Sequence, residues 1–145
     1  MTSTLKITLT EHAIAPTRAH PTDGGLDLYA TTDKQHHIPA HESTLVDTGV
    51  AAAIPDGNVG LLFARSSLPI TFPGAHLANG VGVIDAKYRG TIKGNVRAGN
   101  SAVTLNAGAK FAQLVIIPVT LLDIEIVDSL DDTDRGTGGF GSTGK

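Results

Sequence analysis

Short apolar stretches, each ended by a turn signal after roughly ten residues, constrain this chain more than any other feature. Residues 4–10 alternate strictly, with Leu5, Ile7 and Leu9 on one face and Lys6 and Thr8 on the other, which is the period of a half-buried β-strand. Residues 90–96 do the same, setting Thr91, Lys93 and Asn95 against Ile92 and Val96. Further strands are expected at residues 26–30, 43–50, 59–64, 102–105, 110–117 and 124–127, with Pro55-Asp56-Gly57-Asn58 as a turn between two of them. The polar residues agree: eleven Asp stand against three Glu and two Gln, so turn formers outnumber the usual helix formers. The one helix candidate, residues 66–72, is interrupted by Pro69. The expected fold is all-β, a sandwich, barrel or jelly roll.

Size and charge narrow the function. The 145 residues suit one domain, and 11 basic against 14 acidic side chains give a net charge of −3. That balance leaves no broad surface for duplex nucleic acid or an anionic membrane, so an anionic ligand must be held by a few placed cations. The absence of Cys excludes disulfides, thiolate metal sites and a cysteine nucleophile. The longest apolar run, residues 111–122, is broken by Gln113 and Pro118 and is shorter than the ~20 residues of a spanning helix. No leader or transit pattern opens the chain, so a cytoplasmic location is expected, with a nuclear one also compatible.

Three segments hold candidate chemistry, and each has an ordinary structural reading beside it. The acidic run from Asp128 to Asp134 reads as a solvated hinge, and the chain continues as RGTGGFGSTGK. On composition this is equally a flexible tail or a site, since glycines let N–H groups close round phosphate oxygens while Arg135, Ser142 and Thr143 supply donors. Phe140 has no core to enter there and suits stacking on a base. The segment Ala64-Arg65-Ser66-Ser67-Leu68 follows an apolar strand and reads either as an anion cradle or as ordinary serine capping. It lacks the GxSxG spacing of a nucleophile elbow.

The third segment runs from Gly80 to Gly90, and its glycines allow a tight hairpin and close approach to a flat ligand. Asp85 in it is either a turn carboxylate bonded to backbone N–H groups or one that orients and deprotonates a water. His36, His37 and His41 lie close together but without metal-ligand spacing, and the Rossmann and P-loop patterns are missing.

Taken in order, these pieces resemble the five signature motifs of the homotrimeric dUTPase family. They are Gly25-Leu26-Asp27-Leu28-Tyr29-Ala30, Ala64 to Leu68, Gly82-Val83-Ile84-Asp85 through Tyr88-Arg89-Gly90, Ala107 to Leu114, and Arg135 to Gly144. The resemblance covers nearly the whole chain, and RGTGGFGSTG and GVIDxxYRG are its most specific parts. It implies a β jelly-roll domain over residues 1–130 and a mobile arm over residues 131–145. The chains would form a homotrimer with shared active sites, with no nucleic-acid or membrane partner and with a regulatory protein partner left open.

The implied reaction is Mg²⁺-dependent hydrolysis of dUTP to dUMP and pyrophosphate, which limits uracil incorporation into DNA and supplies dUMP for thymidylate synthesis. Carried over by position, Asp85 activates the water that attacks the α-phosphorus. Tyr88 packs under the deoxyribose, and Asn79 with Gly82, Val83 and Ile84 reads uracil. Arg65, Ser66, Ser67 and Gln113 take the phosphates, on a neighbouring subunit. Arg135, Gly141, Ser142 and Thr143 close on the terminal phosphate while Phe140 stacks on the base. Asp27 meets the metal through water, and Lys93 lies near the substrate.

Some positions depart from the family pattern. Lys87 stands where a second acid is usual and is expected to favour the ionised form of Asp85 if the two lie close. Leu26 replaces a common aromatic, and Ala109-Lys110-Phe111 replaces a charged residue followed by Arg-Ile. Two rival readings accompany the resemblance. A dCTP deaminase of the same fold needs a Glu shortly after the hairpin, but Asn95 is at the nearest corresponding position, and Glu11, Glu42 and Glu125 match nothing there. The other is a nucleotide-binding regulatory protein on this fold.

Overall fold

The computed structural model describes residues 4–141 and Gly144, and it is almost entirely β. Its strands are β1 (Lys6–Leu9), β2 (Gly25–Tyr29), β3 (His36–Ile38), β4 (Ser43–Asp47), β5 (Val50–Ala53), β6 (Asn58–Ala64), β7 (His76–Leu77), β8 (Gly82–Ile84), β9 (Lys93–Arg97), β10 (Val103–Leu105) and β11 (Lys110–Pro118). One four-residue helix, α1 (Leu68–Thr71), sits between β6 and β7. It is shorter than residues 66–72, and Pro69 is accommodated in its first turn, where a missing N–H costs nothing.

The larger sheet has the order β2-β11-β6-β8 and the second β4-β9-β7; β1 pairs with β5 and β3 with β10. One core joins them. Leu28, Leu62, Phe111 and Leu114 from the first sheet pack in the same cluster as Val46, Leu77 and Val96 from the second, with Ile38 and Leu105 from the β3–β10 ribbon. This is the layered, jelly-roll-like all-β architecture that the alternating segments predict.

Three expectations are corrected. Residues 43–50 are two strands, because Thr48 and Gly49 turn the chain between them, with Gly49 at φ +66° and the Thr48 hydroxyl donating to the Ile92 carbonyl at 2.8 Å. Residues 90–92 precede β9 and are not part of it. Residues 124–127 form no strand, since among the described residues none pairs with them; Ile124 and Ile126 are more than nine-tenths exposed.

The strand β11 contains the irregularity that builds the site. Against β2, Lys110 faces Tyr29, yet Ala112 faces Leu28 and Gln113 faces Asp27. The extra residue is a β-bulge, so Phe111 and Ala112 are both buried in succession. In a regular strand, residues three apart point to opposite faces. The bulge places Lys110 and Gln113 on the side of the sheet that carries Asp27.

Candidate active site

Asp27 is the centre of one constellation. It is buried on β2, and each of its oxygens holds a cation: Arg65 Nε stands 2.8 Å from Oδ1, and Lys110 Nζ stands 3.0 Å from Oδ2. A carboxylate taken out of water needs such partners. The ammonium of Lys110 is also 5.4 Å from the centre of the Tyr29 ring, and its hydrogen bond to Asp27 is the main cause raising its pKa. Two cations on one carboxylate leave an excess of one positive charge.

Arg65 carries part of that charge to a cleft of about 250 Å³ that Asp23, Gly25, Asp27, Ser66 and Gln113 also line. Arg65 donates to Ser67 Oγ at 3.2 Å, and Gln113 donates its Nε2 hydrogen to the Ala64 carbonyl at 3.2 Å. The strand-to-helix junction thus holds the guanidinium, two hydroxyls and an amide in one place, as an anion site requires. Lys110 is a partner of Asp27 that the sequence shows only as a departure within the fourth motif; the bulge is what puts it on one face with Gln113.

The second constellation lies at the other end of β8. Asn79 and Gly80 make the tight turn into this strand, with Gly80 at φ +70° and Asn79 Nδ2 donating to the Val81 carbonyl at 3.3 Å. β8 is the edge strand of the larger sheet, so its outer main-chain groups have no strand against them in that sheet. Val83, Ile84, Asp85, Tyr88, Ile92 and Lys93 line a recess of about 170 Å³. Asp85 is exposed there, and its carbonyl accepts the Tyr88 N–H at 3.0 Å. The Tyr88 hydroxyl donates to the Thr91 carbonyl at 3.0 Å. Gly90 lies directly beneath that ring, since a Cβ on it would come within 2.3 Å of the hydroxyl oxygen.

Lys87 is not a partner of Asp85. Its ammonium is turned to Asp56 in the β5–β6 turn, 2.8 Å from Oδ1, and that contact lowers the pKa of Asp56. Both side chains are largely exposed, so the pair is screened by water and salt. Lys93 lines the Asp85 recess with its ammonium 3.7 Å from Asp47.

The histidines form no site: His37 Nδ1 is 3.1 Å from the Thr104 hydroxyl, and buried His36 has a depressed pKa through desolvation. Among the described residues no three His, Asp or Glu side chains group as metal ligands, and no helix is long and apolar enough to cross a membrane. In the arm, Arg135 Nε donates to the Gly138 carbonyl at 3.1 Å and Phe140 is wholly exposed. Ser142 and Thr143 lie outside the described residues.

The dUTPase family model matches residues 11–144, almost the entire chain. The chain belongs to the dUTPase family. The deoxyuridine 5'-triphosphate nucleotidohydrolase of Rhodococcus erythropolis is 46% identical to it over 132 residues, covering 89% of this chain and 78% of that protein. A solved dUTPase of Staphylococcus bacteriophage 80alpha, in complex with dUPNHPP, superposes with a TM-score of 0.87 at 27% identity, covering 99% of this chain and 100% of that one. A dUTPase mutant from phage phi11 of S. aureus, which coordinates a structural Mg(II) ion, gives 0.76 at 28% identity over 88% of this chain and 98% of that one. In dUTPase terms, the first, second and fourth motifs meet in the Asp27 cleft, and the third builds the Asp85 recess together with Ile92 and Lys93.

Proposed function

We propose that this chain hydrolyses dUTP to dUMP and pyrophosphate in a site assembled from more than one copy of itself. The observation that carries this reading is the division of the dUTPase motifs between two places on one chain. In the antiparallel pairing of β6 and β8, Gly60 faces Ile84 and Leu62 faces Gly82, so Asp85 follows on beside Val59. Arg65, just past the end of β6, lies about six residues farther on, roughly 20 Å away at about 3.3 Å per residue. That separation is too long for one chain's Asp85 and Arg65 to serve adjacent atoms of one triphosphate. A neighbouring copy supplying the Asp27 cleft to this chain's Asp85 recess resolves it.

Uncovered apolar surface supports the assembly, a homotrimer in this reading. Leu121, Leu122, Ile124, Ile126 and Leu130 are each 80% or more exposed, and the apolar side chains of β1 are also uncovered, with Leu9 46% exposed. In this reading residues 119–130 join the body to an arm that closes over the site of another copy.

Each end of the nucleotide has its own chemistry. Uracil presents a donor and acceptors along one edge, and the free edge of β8 from Gly82 to Ile84, with Asn79 at its turn, offers main-chain groups to pair with them. A base with the wrong pattern would leave such groups unpaired, which is the basis of selective readout. Tyr88 forms the platform for the deoxyribose and leaves no room for a 2′-hydroxyl. Asp85 accepts a proton from the water that it aims at the α-phosphorus.

Across the interface, Arg65, Ser66, Ser67 and Gln113 hold the phosphates with the excess positive charge of the Asp27 cluster behind them. Arg135, Gly141, Ser142 and Thr143 of the arm close on the terminal phosphate, with Phe140 on the base, and Lys93 adds a cation beside the recess.

Magnesium fits this donor set as a substrate-borne ion. Asp27 has both oxygens on cations, yet each oxygen keeps a lone pair for a hydrogen bond from metal-bound water. The described residues contain no cage of ligands, in keeping with an ion that retains several waters and binds chiefly through phosphates. When bound, it neutralises phosphate charge and fixes the chain for in-line attack. A cytoplasmic location suits an enzyme acting on free nucleotides.

Incubation with Mg²⁺ and, separately, dUTP, dTTP, dCTP and UTP tests the reading. Pyrophosphate release from dUTP alone is expected. Ammonia release from dCTP, or binding of dUTP without turnover, would assign the site to one of the rival functions.

A further inference from the structure

Asp47, the last residue of β4, belongs to no motif, yet the recess beside Asp85 is tied together through it. Its Oδ1 accepts the Gly49 N–H at 2.8 Å, and its Oδ2 accepts the Thr91 hydroxyl at 3.0 Å and lies 3.7 Å from Lys93 Nζ. Its own carbonyl accepts the Thr31 N–H at 3.1 Å, which fixes Asp47 to the body of the fold. Thr91 in turn carries the carbonyl that receives the Tyr88 hydroxyl.

The peptide linking Thr91 to Ile92 is therefore clamped on both sides. Ile92 N–H donates to the Val50 carbonyl at 2.8 Å, and the Thr91 side chain is held by Asp47. Gly90 leaves the Tyr88 ring free to settle against this clamp. A hydrogen bond to an ionised acceptor is stronger than a neutral one, so Asp47 holds Thr91 more firmly than a water would.

We infer that Asp47 is a positioning residue for sugar selection: through Thr91 it sets the angle of the Tyr88 ring, and hence how completely the site excludes a 2′-hydroxyl. The inference rests on the reading of Tyr88 as the deoxyribose platform. Asp47 touches no substrate atom in this scheme. Its effect lies in the ratio of kcat/KM for dUTP to that for UTP, because a ring free to tilt opens space that only the ribonucleotide needs.

The test is that ratio in the full-length protein with Mg²⁺, for Asp47→Ala, Thr91→Val, the double variant, Asp47→Asn and Tyr88→Ala. Asp47→Ala and Thr91→Val are each expected to lower discrimination about tenfold, the effect of losing one charge-assisted hydrogen bond. The double variant is expected to be no worse than Asp47→Ala, since each removes the Asp47–Thr91 bond and Asp47→Ala already removes the contacts to Gly49 and Lys93. Asp47→Asn should recover most of the loss, its Oδ1 still accepting from Gly49 and its amide donating to the Thr91 oxygen.

Discrimination within twofold of the parent in Asp47→Ala, or multiplying losses in the double variant, overturns the inference. Should Asp47→Ala fail to fold, Thr91→Val decides by the same criterion. If Tyr88→Ala leaves discrimination unchanged, the platform reading falls and this inference with it. A collapse in Tyr88→Ala beside a silent Thr91→Val removes only the role of Asp47.

Discussion

Replacing Asp85 by Asn is expected to lower kcat for dUTP about a thousandfold or more, within the range that a positioned proton acceptor contributes. Nucleotide affinity should stay within about threefold of the parent, because uracil, sugar and phosphates are held by other groups. The loop itself has no reason to move: the turn after β8 is closed by the main chain, with the Asp85 carbonyl accepting the Tyr88 N–H. Asn keeps the size of Asp but replaces one acceptor oxygen with a donor, so the attacking water loses the atom that takes its proton. Single-turnover kinetics together with equilibrium binding of a non-hydrolysable dUTP analogue separate the two effects. Turnover at the parental rate in Asp85→Asn would remove Asp85 from the chemistry.

Deleting residues 135–145 is expected to reduce kcat/KM for dUTP about a hundredfold while the protein keeps its melting temperature. The stability half of this prediction follows from burial. The core is complete without the tail, since β11 ends at Pro118 and no described residue beyond it is buried. The catalytic half follows from the role proposed for the arm, in which Arg135 and the glycine-flanked hydroxyls would supply donors to the terminal phosphate and Phe140 would cover the base, so that closure orders the nucleotide and excludes water. Circular dichroism melting and steady-state kinetics on the truncated chain check both halves. An unfolded truncation product would make the arm structural.

β1 was legible in the sequence from its alternation and β11 from its apolar run. β3 and β7 were not, since three residues and two residues carry too little periodicity to separate a strand from a loop. Residues 124–127 show the opposite failure. Alternating Ile124 and Ile126 state that a face wants covering, but not what covers it, and none of the described residues does.

At the site, the motif residues were legible as chemistry, and their order along the chain pointed to the family. The arrangement was not legible. Lys110 reaches Asp27 through a bulge that no local pattern announces, and Lys87 pairs with Asp56, about thirty residues away in sequence, instead of with the neighbouring carboxylate. Asp47 was hidden for the same reason. Its partners Thr91 and Lys93 come to it only through the antiparallel register of β4 and β9.

Hydrolysis of dUTP in water enriched in ¹⁸O, followed by mass spectrometry of both products, tests most directly that Asp85 aims water at the α-phosphorus. One labelled oxygen in dUMP and none in pyrophosphate is the predicted result. Label in the pyrophosphate would place the attack on the β-phosphorus and contradict the assignment of the Asp85 recess.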